Sequence, residues 1–127
     1  MCLYINYIET LKELKNKNLR TFYKIFVKVS NYIITPYWSF KVSRPGEYRL
    51  MTAQSLKEQG MINEGAFHAR TKKGALQQDI FFCEFFEKGQ PIIIPINVKT
   101  EDIIAFGMVN DVAFKAFTVT DEAWNSI

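Results

Sequence analysis

The chain has 127 residues, of which 48% are hydrophobic and 23% are charged. This length fits one domain, and the composition excludes an intrinsically disordered chain. No run approaches the roughly 18 apolar residues that a membrane span needs, and residues 1–11 lack the basic leader of a signal peptide. We therefore expect a single cytoplasmic domain over residues 1–127, with no membrane partner.

Aromatic residues are abundant, at 15% of the chain. Because a domain of this size has a limited core, we expect some of them to form a binding surface or a homodimer contact. Charge is uneven as well: residues 1–50 hold nine Lys and Arg and three acidic residues, and residues 101–127 hold one and five. This asymmetry is typical of an anion-binding face, or of two chain ends that neutralise each other in a compact fold.

The N-terminal residues 3–17 have the spacing of an amphipathic helix. Its apolar stripe contains Tyr4, Ile8, Leu11 and Leu14. We expect this helix, within residues 1–20, to dock on the sheet through that stripe, since Phe22 and Phe26 offer the nearest apolar surface.

Alternation predicts strands in several places, with turn residues between them. They are residues 22–29, a strand that begins at Pro36, residues 91–98, and residues 112–119 after a turn at Asn110 and Asp111. Helices are predicted at residues 53–59 and from Lys72 onward, whereas residues 80–86 fit a helix or a buried strand equally. Residues 100–102 start a single helical turn or a tight connection. The expected fold class is α+β: a twisted, mostly antiparallel sheet of four to five strands with two to three helices on one side. The expected core contains Ile25, Val27, Trp38, Phe40, Ile94, Ile96, Phe106 and Phe114.

Two stretches carry a resemblance to a known family. GAFHA at residues 65–69 precedes a capped helix, and INVKTEDIIAFG at 96–107 precedes a last strand. Together with TPYWSFKV at 35–42, they resemble a family of small domains of unknown function from bacteria and their phages, over residues 22–122. Ala66 splits the Gly-Phe pair that is usual there. The resemblance implies a fold and no reaction.

His68 is the single histidine, so an imidazole acid–base role would fall on it. Glu64 and Arg70 are its nearest charged neighbours in sequence and complete the candidate catalytic set. The alternative is a structural histidine that fixes a strand-to-helix corner. A small nucleotide-using transferase resembling the ADP-ribosyltransferases would use His68, Tyr48 or Arg70 to hold the nucleotide and Glu64 or Glu101 as the catalytic carboxylate.

A basic and aromatic sheet face is the candidate ligand-binding surface. Its ligand-binding candidates are Lys24, Lys28, Tyr37 and Lys41. Cations between aromatic rings suit single-stranded nucleic acid, but we favour the alternative in which the N-terminal helix covers this face.

The leading hypothesis is a non-enzymatic binding or interaction module whose partner is another protein or a second copy of the chain. No cofactor is expected. No metal is expected either, because one histidine and two cysteines show no zinc-like spacing.

We predict that Cys2 and Cys83 form no intramolecular disulfide, because one lies at the chain start and the other in an apolar segment of an expected cytosolic protein. Thiol titration of the unfolded, unreduced protein should find both thiols free. A titration that finds no free thiol would contradict both the predicted absence of a disulfide and the expected cytoplasmic location.

Overall fold

The computed structural model describes residues 3–35, 40–51, 61–62, 66–71 and 89–127, with the backbone alone at 61–62. Strands dominate this part of the chain. They are β1 Leu3–Tyr4, β2 Leu19–Val29, β3 Tyr32–Ile34, β4 Lys41–Val42, β5 Gly46–Arg49, β6 Met61–Ile62, β7 Phe67–Arg70, β8 Gln90–Lys99, β9 Ile103–Phe106, β10 Asp111–Phe114 and β11 Ala116–Val119. The described helices are α1 Tyr7–Glu13 and α2 Asp121–Asn125, and a 3-10 turn covers Thr100–Asp102.

Nine of these strands form one antiparallel sheet, and β1 and β6 form a small separate pair. The main order is β5-β11-β8-β2-β7-β10-β9, with β3 joined to β2 and β4 joined to β3. The β2–β8 ladder is the longest, with ten paired residues from Leu19 opposite Lys99 to Lys28 opposite Gln90. Both strands are rich in β-branched and aromatic residues, which favour a pleated, buried surface.

The sheet closes on itself through the consecutive strands β10 and β11, which a single residue separates. β11 pairs with β8 and β10 pairs with β7, while β8 and β7 both pair with β2. Lys115 is the residue between β10 and β11. Its N–H donates to the carbonyl of Asp102 over 2.9 Å, and its carbonyl accepts from Leu50 N–H over 2.9 Å. A path through β2, β8, β11, β10 and β7 therefore returns to β2, which makes a small barrel.

Closure buries one face of the sheet in a large inner cluster. That cluster includes Phe22, Phe26, Ile33, Val42, Phe67, Ile94, Ile96, Val98, Phe106, Val112, Phe114, Phe117 and Val119. Ala123 of α2 belongs to it, and Leu14 at the end of α1 packs against it. A second cluster lies outside the β9–β10 pair, where Leu3 and Ile5 cover Ala105 and Ala113. Parts of this sheet are therefore buried on both faces.

The predicted fold class was wrong. Nine strands share the main sheet, where four to five were expected, and the described helices are only seven and five residues long. The added strands are short, at two to four residues, so that each shows too little alternation to be recognised as a strand. The fold is therefore sheet-dominated.

Several individual elements were predicted close to their observed bounds. β2 and β8 contain the predicted strands, the 3-10 turn falls on 100–102, and Asn110 adopts φ 59° in the β9–β10 turn. The predicted strand 112–119 is divided at Lys115. α2 was missed, although Thr120 caps it by accepting from Ala123 N–H over 3.1 Å, a signal present in the sequence.

Most of the predicted core is confirmed. Ile25, Val27, Ile94, Ile96, Phe106 and Phe114 are buried, whereas Phe40 is partly buried against the inner cluster. Trp38, the predicted helices at 53–59 and after Lys72, the segment 80–86 and both cysteines lie outside the described residues.

Phe117 has the densest ring contacts in the described core, and we predict that it is a main source of stability. Its ring centroid lies 4.9–6.0 Å from those of Phe26, Tyr48, Phe67 and Phe114. Phe117→Ala should lower the free energy of unfolding by about 3–5 kcal/mol, because it leaves a cavity among rigid rings. In urea denaturation the exposed Tyr7→Ala control should change it by less than about 0.5 kcal/mol. A loss below about 1 kcal/mol for Phe117→Ala would contradict the barrel core.

Candidate functional site

The candidate catalytic residues His68 and Arg70 both lie on β7. Their neighbours Phe67 and Ala69 are buried on the inner side, so His68 and Arg70 point outward and are half-buried. Arg70 lies opposite Asp111 in the β7–β10 ladder. Its Nε is buried and has no hydrogen-bond partner among the described residues. Glu64, the third member of the set, lies outside the described residues.

The structure separates the other residues of the nucleotide-transferase hypothesis from this pair. Tyr48 lies on the inner side, where its ring stacks on Phe117 at 5.6 Å and its hydroxyl donates to the carbonyl of Arg44. Glu101 lines a different place, a shallow cavity of about 200 Å³ near the 3-10 turn. His68 and Arg70 do not line that cavity.

The shallow cavity is bordered by Lys17, Asn18, Lys99, Thr100 and Glu101. Its neutral polar groups bond to one another: Asn18 N–H donates to Thr100 Oγ1 over 3.0 Å, and Thr100 N–H donates to the carbonyl of Asn18 over 2.9 Å. These bonds tie the start of β2 to the end of β8. The neutral groups of the cavity therefore have a structural role. The other residues that line the cavity, Lys17, Lys99 and Glu101, are charged.

Lys24, a member of the candidate ligand-binding set, is buried, contrary to the expectation of an exposed basic face. It shares the inner face with Phe22 and Phe26, is only 6% exposed, and lies 5.5 Å from the Phe26 ring centroid. Its Nζ donates to the carbonyl of His68 over 2.7 Å. Burial lowers the Lys24 pKa from 10.5 to about 7, because the interior disfavours the charged form. Lys24 is therefore part of the barrel core and is not on an exposed face.

The remaining lysines of that set lie on opposite faces of the sheet. Lys28 pairs with Ile33 and so points to the inner side, whereas Lys41 pairs with Ile34 and points to the outer side. Lys41 Nζ lies 4.4 Å from the ring centroid of Tyr32. Tyr37 lies outside the described residues. The register thus does not bring Lys24, Lys28 and Lys41 together on one surface.

Helix α1 docks on the barrel through polar residues, not through its apolar stripe. Thr10 is buried, and its Oγ1 accepts from Phe106 N–H over 2.9 Å. Asn6 N–H donates to the carbonyl of Phe106 over 2.8 Å, and Glu13 forms an ion pair with Arg20 of β2. The expectation that the apolar stripe faces the sheet was therefore wrong, although the helix is docked and Leu14 does pack inward.

The consequence is an exposed apolar surface. Tyr4 is 64% exposed, Tyr7 53%, Ile8 83% and Leu11 69%. The β9–β10 turn adds Met108 and Val109, which are also mostly exposed, and the Met108 N–H donates to the carbonyl of Tyr4 over 3.0 Å. We call these six residues the α1 surface. The sequence identifies the stripe itself, but it does not show which side of the helix faces solvent.

Other features of the described residues add no further site. No group of three or more His, Cys, Asp or Glu side chains in the described ranges could hold a metal ion. Neither α1 nor α2 has the length and apolar character needed to cross a bilayer. Comparisons of the chain with protein families, curated proteins and solved structures found no match. The geometry described above therefore carries the functional argument alone.

We predict that Lys24 makes stability rise with pH. Below about pH 7 the lysine is protonated in both the folded and the unfolded state. Between about 7 and 10.5 the unfolded state keeps its proton while the folded state loses it, so the free energy of unfolding increases with pH, by up to about 1.4 kcal/mol per pH unit. Urea denaturation from pH 6 to 9 should show this rise in the wild-type protein.

Lys24→Met should raise the free energy of unfolding at pH 6 and remove the rise, whereas Lys28→Met at the more exposed inner position should retain it. Equal slopes for the wild-type and Lys24→Met proteins would show that Lys24 does not lose its proton in the folded state.

Proposed function

We propose that this domain is a protein-interaction module that binds its partner through the α1 surface. The observation that carries the proposal is the orientation of α1, whose apolar residues Ile8 and Leu11 are 83% and 69% exposed while Thr10 is buried. In an ordinary surface helix the apolar stripe faces the core. A stripe turned outward in an otherwise well-packed domain is typical of an interaction site.

Packing among the described residues does not explain the exposure of Ile8 and Leu11. Among the described residues the helix is held by the Asn6 and Thr10 bonds to Phe106, by the Glu13–Arg20 ion pair and by Leu14, which packs against the inner cluster. None of these contacts involves Ile8 or Leu11. The folded domain therefore gains little from the apolar character of Ile8 and Leu11. Association would bury these side chains and gain about 25 cal/mol for each Å² of apolar surface removed from water.

The composition of the α1 surface also matches that of interface cores. Aromatic residues and methionine are enriched there, and charged residues are depleted. The surface contains Tyr4, Tyr7 and Met108 beside three aliphatic side chains, and none of its six residues is charged. Tyrosine at such positions combines a large apolar ring with a hydroxyl that stays hydrated.

An interaction role is favoured over the two alternatives by where the structure places their residues. The transferase residues His68 and Tyr48 lie on opposite sides of the sheet. The nucleic-acid hypothesis requires Lys24 on an exposed face, and Lys24 is buried.

We expect a photo-crosslinking residue, p-benzoylphenylalanine, at position 11 to form discrete crosslinked products in cells that produce the protein. The reason is that Leu11 belongs to the α1 surface and is 69% exposed. The same residue in place of Met51, which is 99% exposed but outside the α1 surface, is the matched control and should give none. The measurement is a blot for products heavier than the monomer. Equal patterns from positions 11 and 51, or none from either, would contradict the proposal.

A further inference from the structure

The ring of strands that closes the barrel has a weakly paired seam between β2 and β7. β2 shares ten registered pairs with β8, and β10 shares four with β7. In contrast, β2 and β7 share a single registered pair, Tyr23 opposite Arg70. Because each ladder bond opposes the separation of two strands, the β2–β7 seam requires fewer broken bonds to open than either of the longer ladders.

Backbone geometry identifies the groups of β7 that face this seam. Thr71 N–H donates to the carbonyl of Asn110, on the β10 side of β7. Since backbone groups alternate between the two neighbours of an antiparallel strand, those of Arg70 and His68 face β2. In a regular ladder the next pair after Arg70 would join His68 with Ile25, but the register ends before it.

The side chain of Lys24 supplies a bond at the position where the ladder ends. Its Nζ donates to the carbonyl of His68 over 2.7 Å, so a side chain of β2 holds the backbone of β7. Lys24 is buried in the closed barrel. Separation of β7 from β2 therefore breaks this bond and gives the amine access to water.

The inner face of the described strands gives Lys24 no carboxylate partner. Its charged or titratable side chains are Arg20, which pairs with Glu13 of α1, Lys28 and Tyr48. The residues of β7 and β8 that flank Lys24 on this face are apolar: Phe67, Ala69 and Ile94. With a neutral carbonyl as its described hydrogen-bond partner, Lys24 has a pKa that burial lowers from 10.5 to about 7.

We propose that the barrel opens locally at the β2–β7 seam and that protonation of Lys24 controls this opening. At low pH the lysine is charged in both the closed and the open form, and only the open form lets the ammonium reach water. At higher pH the closed form holds a neutral amine, whose burial costs much less. Acidification therefore favours a state in which part of the inner cluster is exposed. This inference does not depend on the α1 surface.

Hydrogen exchange of single backbone amides tests the inference. The Arg70 N–H faces the seam, whereas Ile94 lies in the β2–β8 ladder. After correction for the intrinsic effect of pH on exchange, the Arg70 amide at pH 6 should be at least tenfold less protected than the Ile94 amide. Its protection should depend little on low concentrations of urea, because a local opening exposes little surface. From pH 6 to pH 9 the protection of Arg70 should rise by up to about 100-fold.

The β8–β11 seam is an internal control. It also has one registered pair, Asn97 opposite Thr118, and no described hydrogen bond from a lysine side chain crosses it. Opening of that seam leaves Lys24 in contact with His68. Urea-independent exchange of the Asn97 amide should therefore not change with pH after the same correction.

Two variants test the role of the Lys24 proton. Lys24→Met should remove the pH dependence at Arg70 and raise its protection at pH 6, because no charge is then buried at the seam. Lys28→Met, on the same inner face but opposite Ile33 of β3, is the matched control and should retain the wild-type behaviour.

Each contrary result overturns a defined part of the inference. Equal protection and equal urea dependence of the Arg70 and Ile94 amides would show that the seam opens only when the whole domain unfolds. Local exchange at Arg70 with the same protection at pH 6 and pH 9 would show that Lys24 does not control the opening. Both results come from the wild-type protein, so they do not depend on the folding of a variant. A pH dependence that survives in Lys24→Met would assign the control to another group.

Discussion

The ring formed by β2, β8, β11, β10 and β7 is the constraint on which the other features depend. A single continuous segment, residues 111–119, pairs at one half with β7 and at the other half with β8. Both of those strands pair with β2, so the sheet cannot flatten without breaking a ladder. The backbone groups of Lys115 at the bend are bonded to Asp102 and Leu50, so the bend leaves neither of them unpaired.

The edge strand β9, which lies outside this ring, explains the orientation of α1. β9 lies at one end of the strand order and would present unpaired backbone groups to solvent, a hazard for edge strands. At Phe106 both groups are occupied by α1: the N–H by Thr10 Oγ1 and the carbonyl by the N–H of Asn6. Such bonds require the polar side of the helix to face the sheet. The apolar side must then face away from the sheet. The bonds to Phe106 thus both protect the edge of β9 and leave the α1 surface exposed.

Closure of the ring also explains why Lys24 is buried. Lys24 alternates with Phe22 and Phe26, and curling places that whole face inside. Its ammonium reaches the carbonyl of His68 and loses basicity because water is excluded. A lysine that appears by sequence to belong to an anion-binding surface is thus a core residue. Ile8 and Leu11 of α1 are exposed and Lys24 is buried, and the proposed protein-interaction role rests on this arrangement.

The sequence alone determined those features that depend on local pattern. The runs at 22–29 and 91–98 alternate over enough residues to predict most of β2 and β8, and Asn110 tolerates the left-handed backbone that the β9–β10 turn requires. Burial of Ile94, Ile96 and Phe114 followed from the same alternation. The helix predicted at 3–17 was too long: α1 spans Tyr7–Glu13, and Tyr4 of the predicted stripe lies in β1.

Only the tertiary structure decided the number of strands, the direction of the α1 stripe and the position of Lys24. Strands of two to four residues are stabilised by their neighbours in the sheet, so their own sequences carry little signal. The spacing of apolar residues defines a helical face but not what lies against it, and that was set by the unpaired backbone of Phe106. Alternation similarly assigns Lys24 to a face, and ring closure alone places that face inside.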